Sequence, residues 1–397
     1  MTEISPDDPV SSTPLEKLIK QKILAEGTIT VADYMDFCLG HEKHGYYRSQ
    51  NPIGKQGDFI TSPEISQIFG ELLGLWCADV WRTIGSPASY NLIELGPGRG
   101  TLMSDLLRAL RVRPDAYSAA EVQLVETSPI LIECQKEVLK DEIEVCNWHD
   151  DIGSIPSRPT ILVANEFFDA LPIHQIKWVD GDWRECRITL NNKNQLCFVI
   201  SDEPMTSSHW FNSDNPVQLE YQKEIVSQFA YRRNNDIFEV RTAARQLIKR
   251  LSQRFKSEGL VALIIDYGHV KSGSGATLQA VRQHKFTAPL QFPGMADLTA
   301  HVDFADLART ASHFGFRCTD PTSQNRFLLS LGLVQRLRIL MRTADQSHNA
   351  SLSEHLRSGA ERLVDPLQMG ELFKVMVVAS PSLPQLQSFP SEYIKLD

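Results

Sequence analysis

The stretch with the most chemistry in it reads Asn91-Leu92-Ile93-Glu94-Leu95-Gly96-Pro97-Gly98-Arg99-Gly100-Thr101-Leu102. An apolar run carries an acid, three glycines follow at alternate positions, and then Met103, Leu106, Leu107 and Leu110 recur at helical spacing. This predicts a strand, a tight loop and a helix. Glycine lets a ligand meet the backbone because no Cβ stands in the way. The N–H groups at the start of the helix then face that ligand. The dinucleotide fingerprint is G-x-G-x-x-G; here it is G-x-G-x-G, with Thr101 where the third glycine would stand. The acid closing the next strand-like run, Glu126, lies roughly 26 residues past the last glycine, later than the ~20 of that fingerprint. Glu94, just before the glycines, suits a ligand carrying an ammonium group better than a pyrophosphate. These features fit S-adenosyl-L-methionine. A glycine turn with no ligand is the plain alternative. A nicotinamide-dependent oxidoreductase is another, which Thr101 argues against.

Further polar residues stand at the ends of other apolar runs. Runs at 91–95, 121–126, 160–164 and 260–265 alternate with helical patterns, which predicts a parallel sheet covered on both faces. In such sheets ligands bind beyond the carboxyl ends of the strands. Those ends carry the glycine loop, Glu126, Asn165-Glu166 and Asp266, and a fifth strand at 143–146 leads to His149-Asp150. By position, Gly96, Gly98 and Gly100 would hold the methionine end of the cofactor, and Glu126 would accept from the ribose hydroxyls. Asp150 would reach the adenine amino group, with Trp148 or His149 beside the ring. Asn165 and Glu166 would face the methyl group and its acceptor. Glu166 and Asp169 form a carboxylate pair able to grip a guanidinium bidentately and take up its proton; Asp169 can instead cap a following helix. In His301-Val302-Asp303-Phe304 the pattern favours Asp303 as an N-cap with Phe304 in the core, and His301 as a proton carrier is the other reading. Tyr46 and Tyr47 suit the wall of a guanidinium pocket or plain packing.

The chain that must position these groups has 397 residues, a formal net charge of −9 and 42% hydrophobic residues. Such composition is ordinary for a globular protein, and its length calls for one large domain plus additions, or for two domains. The acidic balance gives no general electrostatic drive toward nucleic acid. Arg336, Arg338 and Arg342 read as a solvated helix face, with a local basic patch as the other reading. No run reaches the ~18 apolar residues of a membrane span. Seven cysteines without a C-x-x-C pair give neither a zinc signature nor a disulfide framework. No metal is expected. The acidic start of the chain lacks the features of a secretory signal or a transit peptide, so the expectation is a cytoplasmic protein.

The organisation expected is a disordered 1–14, an N-terminal helical region 15–85 covering the cofactor cleft, a core from 86–173 and 257–380, an insert 174–256 and a tail 381–397. Within these spans, one helix is expected over 63–83 and another over 129–140. Residues 174–200 alternate as a β-meander, and 217–256 read as two helices. The last strand is expected at 372–379. The oligomeric state is not readable.

Several segments together carry a family resemblance: Gly57-Asp58-Phe59-Ile60-Thr61-Ser62-Pro63-Glu64-Ile65, Glu94 to Thr101, Val125-Glu126-Thr127-Ser128-Pro129, Ala164-Asn165-Glu166-Phe167-Phe168-Asp169-Ala170-Leu171-Pro172, Asp266-Tyr267-Gly268, Thr277 to Ala280 and Leu298 to Phe304. In this order, from about residue 15 to 380, the sequence resembles the MidA family of class I methyltransferases, which includes a mitochondrial assembly factor of respiratory complex I. The resemblance implies an α/β, Rossmann-like class I methyltransferase sheet with N-terminal helices and an inserted α+β subdomain. It implies S-adenosyl-L-methionine as cofactor, held by Gly96, Gly98, Gly100 and Glu126, with Asp58, Thr61 and Glu64 folding over its methionine end. It implies arginine of a protein as acceptor, dimethylated symmetrically, on a respiratory complex I subunit or a similar protein. The missing presequence points to a bacterial member. A non-catalytic assembly factor that keeps the fold to bind a partner chain is the alternative.

Overall fold

A computed structural model describes residues 12–49, 54, 58, 60–204, 232–347 and 349–384. In chain order the helices are α1 (Pro14–Glu26), α2 (Val31–Gly40), α3 (Tyr46–Ser49), α4 (Ser62–Ile65), α5 (Gln67–Thr83), α6 (Thr101–Leu110), α7 (Pro114–Ala119), α8 (Pro129–Val138), α9 (Thr242–Phe255), α10 (Phe304–His313), α11 (Gln324–Ser330), α12 (Leu333–Gln346), α13 (Ala350–Val364) and α14 (Met369–Leu372). The strands are β1 (Ile29–Thr30), β2 (Tyr90–Leu95), β3 (Ala120–Val125), β4 (Cys146–His149), β5 (Thr160–Asn165), β6 (His174–Val179), β7 (Asp182–Leu190), β8 (Leu196–Ile200), β9 (Ile237–Val240), β10 (Leu260–His269), β11 (Gln279–Arg282), β12 (Lys285–Thr287), β13 (Asp297–Thr299), β14 (Val302–Asp303), β15 (Arg317–Cys318), β16 (Thr322–Ser323) and β17 (Phe373–Ala379).

The main sheet runs β15-β17-β10-β5-β2-β3-β4. Its five strands β10, β5, β2, β3 and β4 are parallel, and β17 joins antiparallel to β10. The alternate residues of each strand supply two cores. Leu92, Val122, Val163 and Leu263 pack with α5 and α6 on one face. Ile93, Leu162, Ala262 and Ile264 pack with α9 and α10 on the other. Each fully buried Leu, Ile or Phe contributes roughly 1.5–3 kcal/mol. Two-sided burial is why these strands are continuously apolar in sequence. Because β3 lies to one side of β2 and β5 to the other, the chain reverses direction at β2 and opens a crevice between the ends of β2 and β5.

A second unit is assembled from three distant stretches. α1 and α2, the antiparallel strands β1, β7, β6, β9 and β8, and the three-stranded sheet β12-β11-β13 share a core of Leu15, Ile19, Tyr34, Met35, Ile188, Ala280 and Leu298. The divisions expected at 15–85 and 174–256 therefore cut across this unit, while α5 belongs to the main core.

Local expectations are corrected at several points. The 63–83 helix breaks at Ser66, whose backbone is extended (φ −157°, ψ 129°) and whose hydroxyl caps α5. The strand expected at 143–146 lies at Cys146–His149, after a short 3-10 turn. Of the helical stretch 217–256, residues 217–231 lie outside the described residues, 237–240 form β9, and only α9 is helical. Arg336 is not merely solvated. It donates to Glu71 at 2.7 Å, a buried carboxylate that Arg108 also pairs with, whereas Arg338 and Arg342 are exposed. All seven cysteines are free. Among the described residues, no helix is long and apolar enough to cross a membrane and no cluster fit for a metal ion occurs.

Candidate active site

The crevice widens into a cavity of about 840 Å³, within the range of small-molecule and cofactor sites. At one end lies the glycine loop. Gly96 and Gly98 take φ of +60° and +53°, a left-handed region that side chains resist. A Cβ on Gly96 would stand 2.9 Å from the Phe167 ring. Gly96 and Gly98 line the cavity, whereas Gly100 sits behind the loop, N-capping α6 against Gln135. The Thr101 hydroxyl donates to Glu64 at 2.6 Å, so the residue that replaces the dinucleotide glycine ties the loop to α4.

Two acids follow. Glu94 is fully buried, its Oε2 has no hydrogen-bond partner, and burial, then the nearby Glu126 carboxylate, pushes its pKa up to about 8. An unpartnered buried carboxylate is costly unless a donor or cation meets it, so the site is built for a ligand bearing one. Glu126 accepts the N–H groups of Thr127 and Ser128, both at 2.8 Å, and the Gln135 amide at 3.2 Å. Gln135 also donates to the Gly98 carbonyl at 2.7 Å and thereby clamps the loop to Glu126. Its sequence signal is a polar residue four positions from Leu131 on the buried stripe of α8. Gln135→Leu is expected to weaken cofactor binding about 10- to 100-fold, from loss of a hydrogen bond to a charged group. Calorimetric titration with S-adenosylhomocysteine checks this, and unchanged affinity contradicts it.

Asp150 lines the cavity beside Asp151 and Ile152, and Leu131 and Leu247 add apolar wall. Neither Trp148 nor His149 does so, contrary to expectation. Trp148 donates to Gln135 at 2.8 Å, and His149 bridges Gln123 and Ser154, both at 2.7 Å.

Beside the glycine loop β5 closes on Asn165, and Glu166 takes φ of +50°. A non-glycine residue held there is strained, and such strain gathers at functional sites. The strain is held by a nest. The N–H groups of Phe167, Phe168 and Asp169 all donate to one oxygen of the fully buried Asp266, at 3.2, 2.9 and 3.2 Å. Asp266 thus orients the turn and does not line the cavity. Glu166 accepts the Ser62 N–H at 2.9 Å and the Asn165 amide at 3.2 Å. Asp169 accepts from the Tyr267 hydroxyl at 2.5 Å, and its Oδ1 and the Asn165 Oδ1 have no partner. No helix follows Asp169, so it caps nothing. Burial raises Glu166 to about 7 and Asp169 to about 6. The donors facing both are neutral.

Other expected residues divide. Thr61 N-caps α4 and lines the cavity. Asp58 does not line it. One carboxylate oxygen accepts from Tyr46 and the other from the Gln283 N–H, so Asp58 holds the β11–β12 turn. Asp303 N-caps α10, Phe304 is buried, and His301 lines the cavity with its ring edge-on to Tyr267. Sequence reasoning missed Asp297, Tyr267 as a donor, and Gln135.

The raised carboxyls make stability pH-dependent with a definite sign. Near pH 7–8 the unfolded chain has lost these protons while folded Glu94 and Asp297, both at about 8, still bind part of theirs. The folded state binds more protons, so stability falls as pH rises, by at most ~1.4 kcal/mol per pH unit per group. His149 and His301, held low by burial, act oppositely but below this window. Melting temperature is expected to fall between pH 7 and 8, and Glu94→Gln to flatten the slope. A rise would contradict the assignment.

Sequence comparison adds the following. The profile of a family of S-adenosyl-L-methionine-dependent methyltransferases (Methyltransf_28) matches residues 72–322. The mitochondrial protein arginine methyltransferase NDUFAF7 of Xenopus laevis is 36% identical over 387 residues, 91% of this chain and 83% of that protein. Its human counterpart is 34% identical, covering 91% and 82%. A crystal structure of a COG1565 superfamily member from Burkholderia thailandensis, bound to S-adenosyl-homocysteine, superposes with a TM-score of 0.79 at 22% identity over 99% of each chain. That likeness establishes the shared fold.

Proposed function

Because this chain belongs to the S-adenosyl-L-methionine-dependent methyltransferase family of NDUFAF7, we propose that it methylates an arginine guanidinium of a protein. When bound, S-adenosylmethionine supplies an electrophilic methyl group on a sulfonium, open to in-line displacement. The unpaired oxygen of Glu94 fits the ammonium of the methionine moiety, and Glu126, already oriented by Gln135, fits the ribose hydroxyls. The bare backbone of Gly96 and Gly98 suits the methionine end, and Asp150, on the cavity wall, suits the adenine amino group.

The reaction needs alignment above all, which can supply about 7–11 kcal/mol. The acceptor nitrogen must lie beyond the methyl, along the crevice toward Glu166. The observation that carries the arginine reading is the pair of half-buried Glu166 and buried Asp169, bonded only to neutral donors, with Asp169 Oδ1 unpaired. Such a pair lacks a cation, and a guanidinium supplies one with matching planar donors. Glu166, poised near neutrality, takes the proton that leaves the methylated nitrogen. The relatives' name as protein arginine methyltransferases supports the same acceptor. The family resemblance further supports a respiratory complex I subunit as substrate and symmetric dimethylation as product.

The test uses labelled S-adenosylmethionine and extract of a strain lacking this protein. Mass spectrometry of the labelled band should find methylated arginine. Label on another residue type would overturn arginine as the acceptor, and cofactor binding with no label transferred would favour the non-catalytic assembly factor.

A further inference from the structure

Resting on the arginine reading above, we propose that Asp297, oriented by Tyr47, is a third carboxylate of the acceptor pocket and sets its preference for a guanidinium over a primary ammonium. Asp297 opens β13, in a sheet that is no part of the main fold, and pairs there with Val281 of β11. Its side chain is 6% exposed and lines the same cavity as Glu166, Asp169, Tyr267 and Thr299. The Tyr47 hydroxyl donates to its Oδ1 at 2.8 Å. Tyr267 does the same for Asp169, so two tyrosines each orient one acid toward the cavity.

Acid proximity alone says little, but two further oxygens point to a ligand. Asp169 and Asn165, 5% and 8% exposed, line this cavity, and the Oδ1 of each has no hydrogen-bond partner. The acidic neighbours acting on Asp297 are Asp169 and Asp58. Acids from the end of β5 and the start of β13, together with the Tyr267 hydroxyl from β10, fit a cation with donors on several edges. A guanidinium presents five donors in a plane, and the Tyr47 and Tyr267 rings suit its faces. An ammonium presents three donors from a point and cannot span acceptors on separate elements. The main sheet supplies the acids beside the cofactor, and the second unit supplies the one that completes the cage.

The experiment titrates ethylguanidinium chloride, and separately butylammonium chloride, into protein saturated with S-adenosylhomocysteine. Wild type is expected to bind ethylguanidinium more tightly than butylammonium. Asp297→Asn keeps the side-chain shape and is expected to lose at least about tenfold in ethylguanidinium affinity while S-adenosylhomocysteine affinity holds. Tyr47→Phe is expected to lose less, in the same direction. Wild type that binds neither cation overturns the arginine reading and this inference with it. Wild type that binds ethylguanidinium, with Asp297→Asn unchanged or with S-adenosylhomocysteine affinity falling in parallel, overturns this inference alone.

Discussion

Gly98→Val is expected to remove saturable binding of S-adenosylmethionine while leaving the protein folded. Gly98 lines the cavity at φ +53°, where a β-branched side chain is a steric outlier. Backbone strain of this kind costs about 1–3 kcal/mol. The two added methyl groups also occupy the space where a ligand must meet bare backbone, and the losses compound, so affinity should drop by about a hundredfold or more. Gly98→Ala carries less of both effects and should fall between. Calorimetry measures the affinity, and a thermal melt without ligand separates lost binding from lost fold. Wild-type affinity in Gly98→Val would count against the loop as the cofactor site.

Glu166→Gln should do the reverse, keeping cofactor affinity and losing methyl transfer. Glutamine retains an oxygen for the Ser62 N–H, so the strained turn keeps its contact. It cannot carry the negative charge that pairs with the acceptor, nor take its proton. Loss of a positioned base lowers rates by about 10²–10⁴-fold, and turnover with labelled cofactor should fall in that range. A fully active variant would remove Glu166 from the reacting centre. The substitution should also raise stability slightly above pH 7, where wild type must ionise a carboxyl that burial holds near 7.

How much of this the sequence discloses depends on whether a residue acts through its neighbours along the chain. The glycine loop is legible because strand, turn and helix follow one another and each glycine answers a local backbone demand. Glu126 and Asn165-Glu166 are legible because a buried parallel strand is an uninterrupted apolar run with its polar residue at the end. Asp297 is not, because it begins a three-residue strand in a sheet too short to show alternation, and its partner Tyr47 lies 250 positions away. Asp58 misleads for the same reason: its motif is local, but its carboxylate is spent on Tyr46 and a turn at Gln283. Trp148 and His149 stand beside Asp150 in sequence, yet a strand sends alternate side chains to opposite faces and both find partners away from the cavity. The 237–240 strand is hidden because its pairing partner, β6, is 60 residues upstream and nothing local distinguishes it from the helix that follows.

The cleft's shape also explains why the second unit exists. The main sheet alone provides the glycine loop, Glu126 and the strained Glu166. The second unit brings Tyr47 and Asp297 over the same cavity, so both parts of the chain wall it. A cofactor fold with a recognition wall added is an economical way to vary the acceptor without disturbing the donor site.

The central claim is that one crevice holds a sulfonium nucleoside at Glu94 to Gly98 and presents its sulfur toward Glu166. A crystal structure grown with S-adenosylhomocysteine tests it most directly. The account predicts the amino group at Glu94, the ribose hydroxyls at Glu126, the adenine near Asp150 and the sulfur facing the Asn165–Asp169 turn. Density for the ligand outside this crevice, or the sulfur turned away from Glu166, would contradict it.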